Sequence, residues 1–346
     1  MPALGTTRTR LRAGLVGAAV LLAAAGCSSA SPDPSAVGPT TTSTTPAASS
    51  GSSGSSGSSA RPTPGSATPE APSTTKPKAR PELPRGGRTL FPRYRLVGYA
   101  GRTGSSTLGR LGTGGLDSRV GELERRAKPY AADGRRVLPV LEVIATTVQA
   151  SPGKDGRYRA RMSDDEVERY LKVARKHDAL LLLAIQPGRA DFLDEVRAYD
   201  RWLAQPDVGV ALDPEWAMGK HQVPGRVFGH TTGAELDAVA KHLSTVTRKH
   251  DLPEKVMVFH ELAAHIVTKE DRLRRHAGVV AIKSVDGIGS RAAKENTYRV
   301  VNQDTPRGVR PGFKLFYDED RTTGKKVMTP AQVLELHPRP DYVMYE

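Results

Sequence analysis

Residues 89–346 are predicted to fold as a single α/β domain, a (β/α)8 TIM barrel. Three features of the sequence point there. Eight short apolar runs recur along the segment, amphipathic stretches with helix-start signals separate them, and the segment has the roughly 250 residues such a barrel uses. Strands alternating with helices make a parallel sheet wound by crossovers, and eight of them in this length close on themselves. An open doubly wound sheet is the competing architecture, but Gly101-Arg102-Thr103-Gly104 after the first run does not fit its dinucleotide fingerprint.

In chain order the expected strands are residues 96–99, 137–144, 179–186, 208–213, 255–260, 279–285, 312–317 and 342–345. Helix starts are marked between them. Ser163 with Glu166, and Thr232 with Glu235, have capping-box spacing, in which hydroxyl and carboxylate each satisfy a free backbone N–H of the first turn. Thr329 before Pro330 reads as an N-cap followed by proline at the first helical position, where no N–H is needed.

The first 88 residues are expected to lie outside the barrel. Arg8, Arg10 and Arg12 form a basic region, and the apolar stretch 15–25 that follows is shorter than the about 20 residues a membrane helix needs. Ala24-Ala25-Gly26 then lead into Cys27, the chain's only cysteine. This is the layout of a secretory signal peptide over residues 1–26. Its end resembles the lipobox of bacterial lipoproteins, with Ala24 where leucine is usual. That resemblance implies lipidation of Cys27, with membrane lipid as the first partner. Each buried methylene of the anchor contributes about 0.8 kcal/mol, so the chain is expected on the extracytoplasmic face of the cell membrane. Residues 27–88 are rich in Ser, Thr, Pro and Gly. They have too little apolar surface to offset ordering entropy and are expected to form a disordered tether, with a mean span of roughly 40–45 Å.

The formal net charge is +14, of which the barrel segment carries +8, from 42 Lys/Arg against 34 Asp/Glu. Outside the cell such a surface faces anionic lipid or an acidic wall polymer rather than nucleic acid; a solvated face in an arginine-rich chain is the plainer alternative. No cofactor and no metal are expected, and the barrel is expected to be a monomer.

Chemistry in such barrels sits at the C-terminal ends of the strands. Polar residues gather there: Glu142, Gln186 with Arg189, Asp213 with Glu215, His260 with Glu261, Lys283 with Asp286, then Asp318-Glu319-Asp320 and Glu346. The sharpest feature is the fourth strand, continuing into Asp213-Pro214-Glu215-Trp216. Side chains alternate along a strand, so Gly209, Ala211, Asp213 and Glu215 are expected to look into the barrel mouth and Val208, Val210 and Leu212 toward the helices. Two inward carboxylates are what glycoside hydrolysis uses, one as proton donor and one as charge stabiliser or activator. Asp213 and Glu215 are therefore the candidate catalytic pair, with Trp216 placed to stack on a sugar ring. The competing reading pairs both with Lys283, Arg189 or Lys314 in a structural ion network. His260-Glu261-Leu262-Ala263-Ala264-His265 differs from the zinc-protease helix, because histidines five apart do not share a helix face. His260 remains a candidate substrate contact, as do Glu142, Gln186, Arg189, Lys283, Asp286, Tyr317 and Asp318. Arg189 is expected to position an anion; the acidic run after Tyr317 reads as a third carboxylate, a cation site or an acidic turn.

Taken together, Val97-Gly98-Tyr99-Ala100-Gly101, Leu141-Glu142-Val143, Gln186-Pro187-Gly188-Arg189, Leu212-Asp213-Pro214-Glu215-Trp216, Val285-Asp286-Gly287 and Phe316-Tyr317-Asp318 resemble a largely uncharacterised family of actinobacterial secreted proteins and lipoproteins. The resemblance spans residues 89–346 and implies the barrel and the compartment. At fold level the barrel is also similar to lysozyme-type and chitinase-type glycosidases, which implies a glycoside hydrolase acting on cell-wall polysaccharide through Asp213 and Glu215. The first strand lacks the aspartate of one muramidase-type group, and the longer acidic run of the chitinase group is absent before Asp213. Two alternatives stand beside it: a barrel that binds a wall glycan without cleaving it, and a metal-dependent phosphodiester hydrolase using Asp213, Glu215, Asp286 and Asp318.

The anchor has a direct test. Cys27→Ala should release the protein from the membrane fraction or block its processing, as read by fractionation and intact mass. A variant that matures and fractionates as the wild type does defeats the lipoprotein assignment.

Overall fold

The computed structural model describes residues 79–346. The signal peptide, Cys27 and most of the expected tether lie outside the described residues. The barrel strands are β1 Tyr94–Gly101, β2 Arg136–Val148, β3 Leu180–Ile185, β4 Val208–Leu212, β5 Lys255–Glu261, β6 Val279–Val285, β7 Arg310–Leu315 and β8 Tyr342–Tyr345. All eight run parallel. Each pairs with the next, and β1 closes the ring by pairing with both β2 and β8, Leu96 lying beside Leu138 and Tyr342. The expected α/β barrel is therefore the fold. Only β6 and β8 keep the expected bounds; β1, β3, β4 and β5 differ by one or two residues at one or both ends. β7 lies two residues earlier, and β2 runs on past the barrel to Val148, where it pairs antiparallel with Arg159–Arg161.

The helices are α1 Leu116–Ala127, α2 Asp164–Lys176, α3 Phe192–Arg197, α4 Asp200–Leu203, α5 Gly233–Lys249, α6 Arg291–Val301, α7 Glu319–Gly324 and α8 Pro330–Leu334. Both expected capping boxes form, at Ser163–Glu166 and Thr232–Glu235, and Thr329 caps α8 through the N–H of Gln332. The regular alternation breaks once. The connection from β5 to β6 carries only a two-residue strand, Val267–Thr268, and a 3-10 turn, Glu270–Arg272, and α5 packs against both β5 and β6 instead. That connection has no apolar stripe of helical period, and Lys269 takes a left-handed backbone with φ 51°.

Alternation along the strands sorts the side chains into two cores. Val97, Leu141, Leu183, Val210, Phe259, Phe313 and Val343 face outward to the helices. Leu96, Val140, Leu182, Ala211, Val258, Ile282 and Met344 fill the barrel. The interior is tight enough that β4 needs glycine at 209, where a Cβ would stand 2.6 Å from the Val256 carbonyl oxygen.

The floor of the barrel comes from a segment that composition alone assigns to the tether. Leu83 and Leu90 are buried in the interior core with Tyr94, Leu138 and Leu180. Arg85 donates to the carbonyls of Val137 (3.0 Å) and Asp178 (3.2 Å). Arg88 donates to that of Leu252 (2.9 Å), and the Leu90 N–H donates to Glu254 at 2.7 Å. The boundary expected at residue 88 thus moves to about residue 80. Proline and glycine shape a stapled loop here, and two leucines within it close an opening that the strands leave.

Two outcomes follow. A chain beginning at Thr89 should melt lower than one beginning at Ala79. Leu90→Ala, which opens a cavity under the barrel, should lower stability by about 2–5 kcal/mol in chemical denaturation.

Candidate active site at the barrel mouth

The inward alternation that fills the barrel with apolar side chains continues, at the C-terminal ends, into a polar layer. β2 contributes Glu142, the end of β4 Asp213, β5 His260, β6 Ser284 and then Asp286, β7 Lys314, and β8 Tyr342 with Glu346 just beyond it. All but Glu346 are buried. Burying this many charges is costly unless each finds a partner, and the partners are specific. His260 lies at the centre, wholly inaccessible to solvent. Its Nδ1 is 2.8 Å from Asp286 Oδ2, and its Nε2 is 3.2 Å from Glu142 Oε1 and 3.9 Å from Asp213 Oδ1. Ser284 donates to Asp286 (2.9 Å), and the Tyr342 hydroxyl donates to Glu142. Lys314 Nζ is 3.3 Å from Asp286 and 2.5 Å from Glu346.

These contacts divide the carboxyls into two kinds. Burial pushes Asp286 and Glu142 up, but neighbouring cations outweigh it: His260 and Lys314 hold Asp286 down at about 2, and the same two lower Glu142. In turn burial opposes charge on His260 and Lys314, yet Asp286 and Glu142 hold the imidazolium and, with Glu346, the ammonium well above their ordinary ranges. Asp213 and Glu215 behave differently. Burial raises Asp213 to about 6, with His260 and Lys314 only partly offsetting it. Burial, followed by the charges of Asp213 and Asp286, raises Glu215 well above the carboxylate range. Glu215 Oε2 is buried without a hydrogen-bond partner. The two carboxyls of the pair are thus pushed apart, Glu215 well above its ordinary range and Asp213 to about 6.

Glu215 reaches the mouth by a route that strand alternation does not describe. β4 ends at Leu212, and Pro214–Trp216 form a 3-10 turn. The turn is pinned from behind by the Gly229 N–H, which donates to the Glu215 carbonyl at 2.6 Å. Trp216 is half-buried on the same turn.

Of the remaining candidates, Gln186 and Arg189 support the mouth from outside it. Gln186 Oε1 accepts from the Val148 N–H (3.1 Å), tying β3 to the extension of β2. Arg189 is not aimed at an anion in the mouth. Its guanidinium lies 4.2 Å from the Tyr158 ring centroid and donates to the Gln222 carbonyl (2.9 Å), fastening the loop after β4. Three further expectations are corrected. Lys283 alternates with Ser284 and so points out of the barrel, where it meets Glu270 at 2.6 Å and Glu261 at 3.5 Å. Tyr317 also faces outward, stacked on Tyr345 with centroids 5.6 Å apart and flanked by Arg110, Arg126 and Arg321. Asp318 is exposed in the turn before α7. The buried member of that acidic run is Asp320, paired at 3.0 Å with the buried Lys294. Asp213, Glu215, Asp286 and Asp318 are therefore not brought together as a set, and among the described residues no three His, Cys, Asp or Glu side chains converge as a metal-ligand group. Ser284 and Tyr342 belong to the mouth without being expected there, while Lys314, expected only as an ion-pair partner, and Glu346, expected only as a polar strand end, meet in it. Counting back in twos along β6, β7 and β8 from the chain's polar ends finds each of them.

No protein-family model matches the chain, and comparison with curated proteins finds no match. What the site can do rests on its own geometry.

The outward cluster around Lys283 fills the place of the missing β5–β6 helix. Glu261 is fully buried, and neither carboxyl oxygen has a hydrogen bond, Lys283 standing 3.5 Å away. Burial, only partly offset by Lys283, raises it to about 8. A carboxyl raised in the folded state contributes stability that is complete below its unfolded pKa and is lost as pH rises through its folded value. The loss should fall between about pH 4.5 and 8. Glu261→Gln keeps the shape of the neutral acid and removes that loss. It should melt above the wild type at pH 8 by at least about 3 °C, with the difference shrinking toward pH 4.5, as followed by calorimetry across that range.

Proposed function

We propose that this chain is a membrane-anchored cell-envelope protein whose barrel is a glycoside hydrolase acting on a wall polysaccharide. Glu215 is the proton donor and Asp213 the carboxylate that stabilises the developing positive charge. The envelope location rests on the basic n-region, the apolar stretch and Cys27. No helix among the described residues is long and apolar enough to cross a membrane.

One observation carries the reaction class. Glu215 carries one buried carboxyl oxygen without a hydrogen-bond partner and is held well above the ordinary carboxylate range, beside an Asp213 raised only to about 6, in a mouth whose formal charges sum to the negative side. With Glu215 neutral, Glu142, Asp213, Asp286 and Glu346 face only His260 and Lys314. Such a field favours a transition state that gains positive charge, as glycosidic cleavage does, and disfavours transfer of an anionic phosphoryl group. Glu215 gives its proton to the glycosidic oxygen as the bond to the anomeric carbon breaks. Asp213 faces the oxocarbenium-like carbon, and water completes the substitution, its proton returning to a carboxylate of the pair. His260, held by Glu142 and Asp286, keeps Asp213 from rising as far as Glu215, so the pair splits into an acid and a base. The pairing of every other charge in the mouth favours a second reading, a barrel that binds glycan without cleaving it.

Hydrolysis of purified wall polysaccharides, read by release of reducing ends, separates the two. Glu215→Gln should lower turnover about 10²–10⁴-fold, and Asp213→Asn about 10²–10³-fold, with melting temperatures near that of the wild type. The rate should rise as Asp213 ionises through about pH 6 and fall only well above the ordinary carboxylate range, where Glu215 loses its proton. If the wild type cuts no glycan and both variants melt several degrees lower, the carboxyls are structural and the binding barrel is the better account.

A further inference from the structure

Next to the mouth, between the loop after β3 and the loop after β4, lies an open groove of about 250 Å³. That is smaller than a drug-sized pocket and suits a ligand of one ring. Phe192 and Met218, both buried, form its apolar lining; Asp191, His230, Thr232 and Glu235 supply polar edges. The two carboxylates are half-engaged. Asp191 uses Oδ1 to accept from the N–H groups of Leu193 and Asp194, and Glu235 uses Oε2 to accept from Thr231 and Thr232. Each keeps its second oxygen free on an exposed side chain. Apolar lining with free hydroxyl acceptors at the edge matches a sugar ring, which has apolar faces and a hydroxyl rim.

The groove lies beside the end of the turn that carries the candidate acid. Ala217, in its wall, is two residues from Glu215. The returning loop runs alongside, Gly229 N–H donating to Glu215 O at 2.6 Å and His230 N–H to Ala217 O at 3.2 Å. A Cβ at position 229 would stand 2.1 Å from the Ala217 carbonyl oxygen, so only glycine lets the strands lie this close. Met218 N–H donates to Gly188 O at 2.7 Å, which locks the other wall.

We propose that this groove is a binding subsite for an uncharged sugar unit of the glycan chain, adjoining the bond at Glu215. Its placement relative to cleavage rests on the hydrolytic reading; its ligand class does not. Asp191 and Glu235 accept hydroxyls, repel a carboxylated or phosphorylated unit, and so select a neutral one. His230 supplies the opposing donor.

The test is amide NMR titration of the Glu215→Gln protein, which suppresses turnover. The probes are tetrasaccharides of glucose, galactose, mannose and arabinose, with tetragalacturonate as the charged comparison. At least one neutral probe should shift the amides of residues 190–192, 217–219 and 230–235, and tetragalacturonate should not. Asp191→Asn, which keeps a capping oxygen, and the surface change His230→Ala should each weaken that binding at least fivefold. No shift at these amides from any neutral probe overturns the proposal, and so does equal binding of the galacturonate. Neutral-probe binding in the groove, with no glycan cut by the wild type, leaves the subsite standing and defeats the hydrolytic reading. Hydrolysis with no groove shifts does the reverse.

Discussion

His260 holds the mouth together. It is wholly buried, and both ring nitrogens face carboxylates, Asp286 on one side and Glu142 with Asp213 on the other. A charged imidazole at this depth persists only because those carboxylates surround it, and Asp286 and Glu142 stay ionised at this depth largely because the imidazolium is there. Lys314 extends the same arrangement to Glu346. Removing His260, Lys314, Asp286 or Glu142 leaves a buried charge without its counterpart, a change that typically costs about 3–5 kcal/mol. The network is costly compared with an apolar layer, and the layers beneath it show that this barrel packs apolar side chains readily.

That cost is what separates Asp213 from Glu215. Both are acids on the same short turn. Asp213 lies within reach of His260 and rises only to about 6, whereas Glu215 has no partner for its buried oxygen and is pushed well above the carboxylate range. A difference between two carboxyls set by environment, not by type, is what acid–base chemistry at neutral pH requires. The surrounding loops are fastened accordingly. Arg189 on Tyr158 and Gln222, Gln186 on Val148, and Gly229 on Glu215 each fix a loop next to the pair without entering it.

Outside the barrel the same economy of pairing recurs. Lys283 with Glu270 and Glu261, and Lys294 with Asp320, are buried ion groups placed where helices are short or missing. Arg95, wholly buried at the opposite end, donates to the carbonyls of Tyr130 (2.8 Å) and Pro340 (3.2 Å). Below the barrel the segment carrying Leu83 and Leu90 closes the floor, so the polar layer at one end is matched by an apolar seal at the other.

The sequence by itself determined the eight strands, the inward and outward faces of β4 and three helix starts, because these depend on period and on capping within a few residues. It also placed Glu142, Asp213, His260 and Asp286 at one end of one barrel, since topology alone sends the C-terminal ends of parallel strands to the same side. Only the tertiary structure decided which charges meet. Lys283 and Ser284 are neighbours in sequence, yet they fall on opposite sides of the sheet. Tyr317 and Asp318 follow a strand that ends two residues sooner than its apolar run implies, and they leave the mouth to Lys314. Glu215 arrives by a 3-10 turn that strand alternation does not anticipate, and Leu83 sits in a stretch whose composition looks disordered. Partnership between side chains more than a hundred residues apart, such as Glu142 with His260 or with Tyr342, is set by strand register around the closed ring, and no local pattern in the chain encodes it.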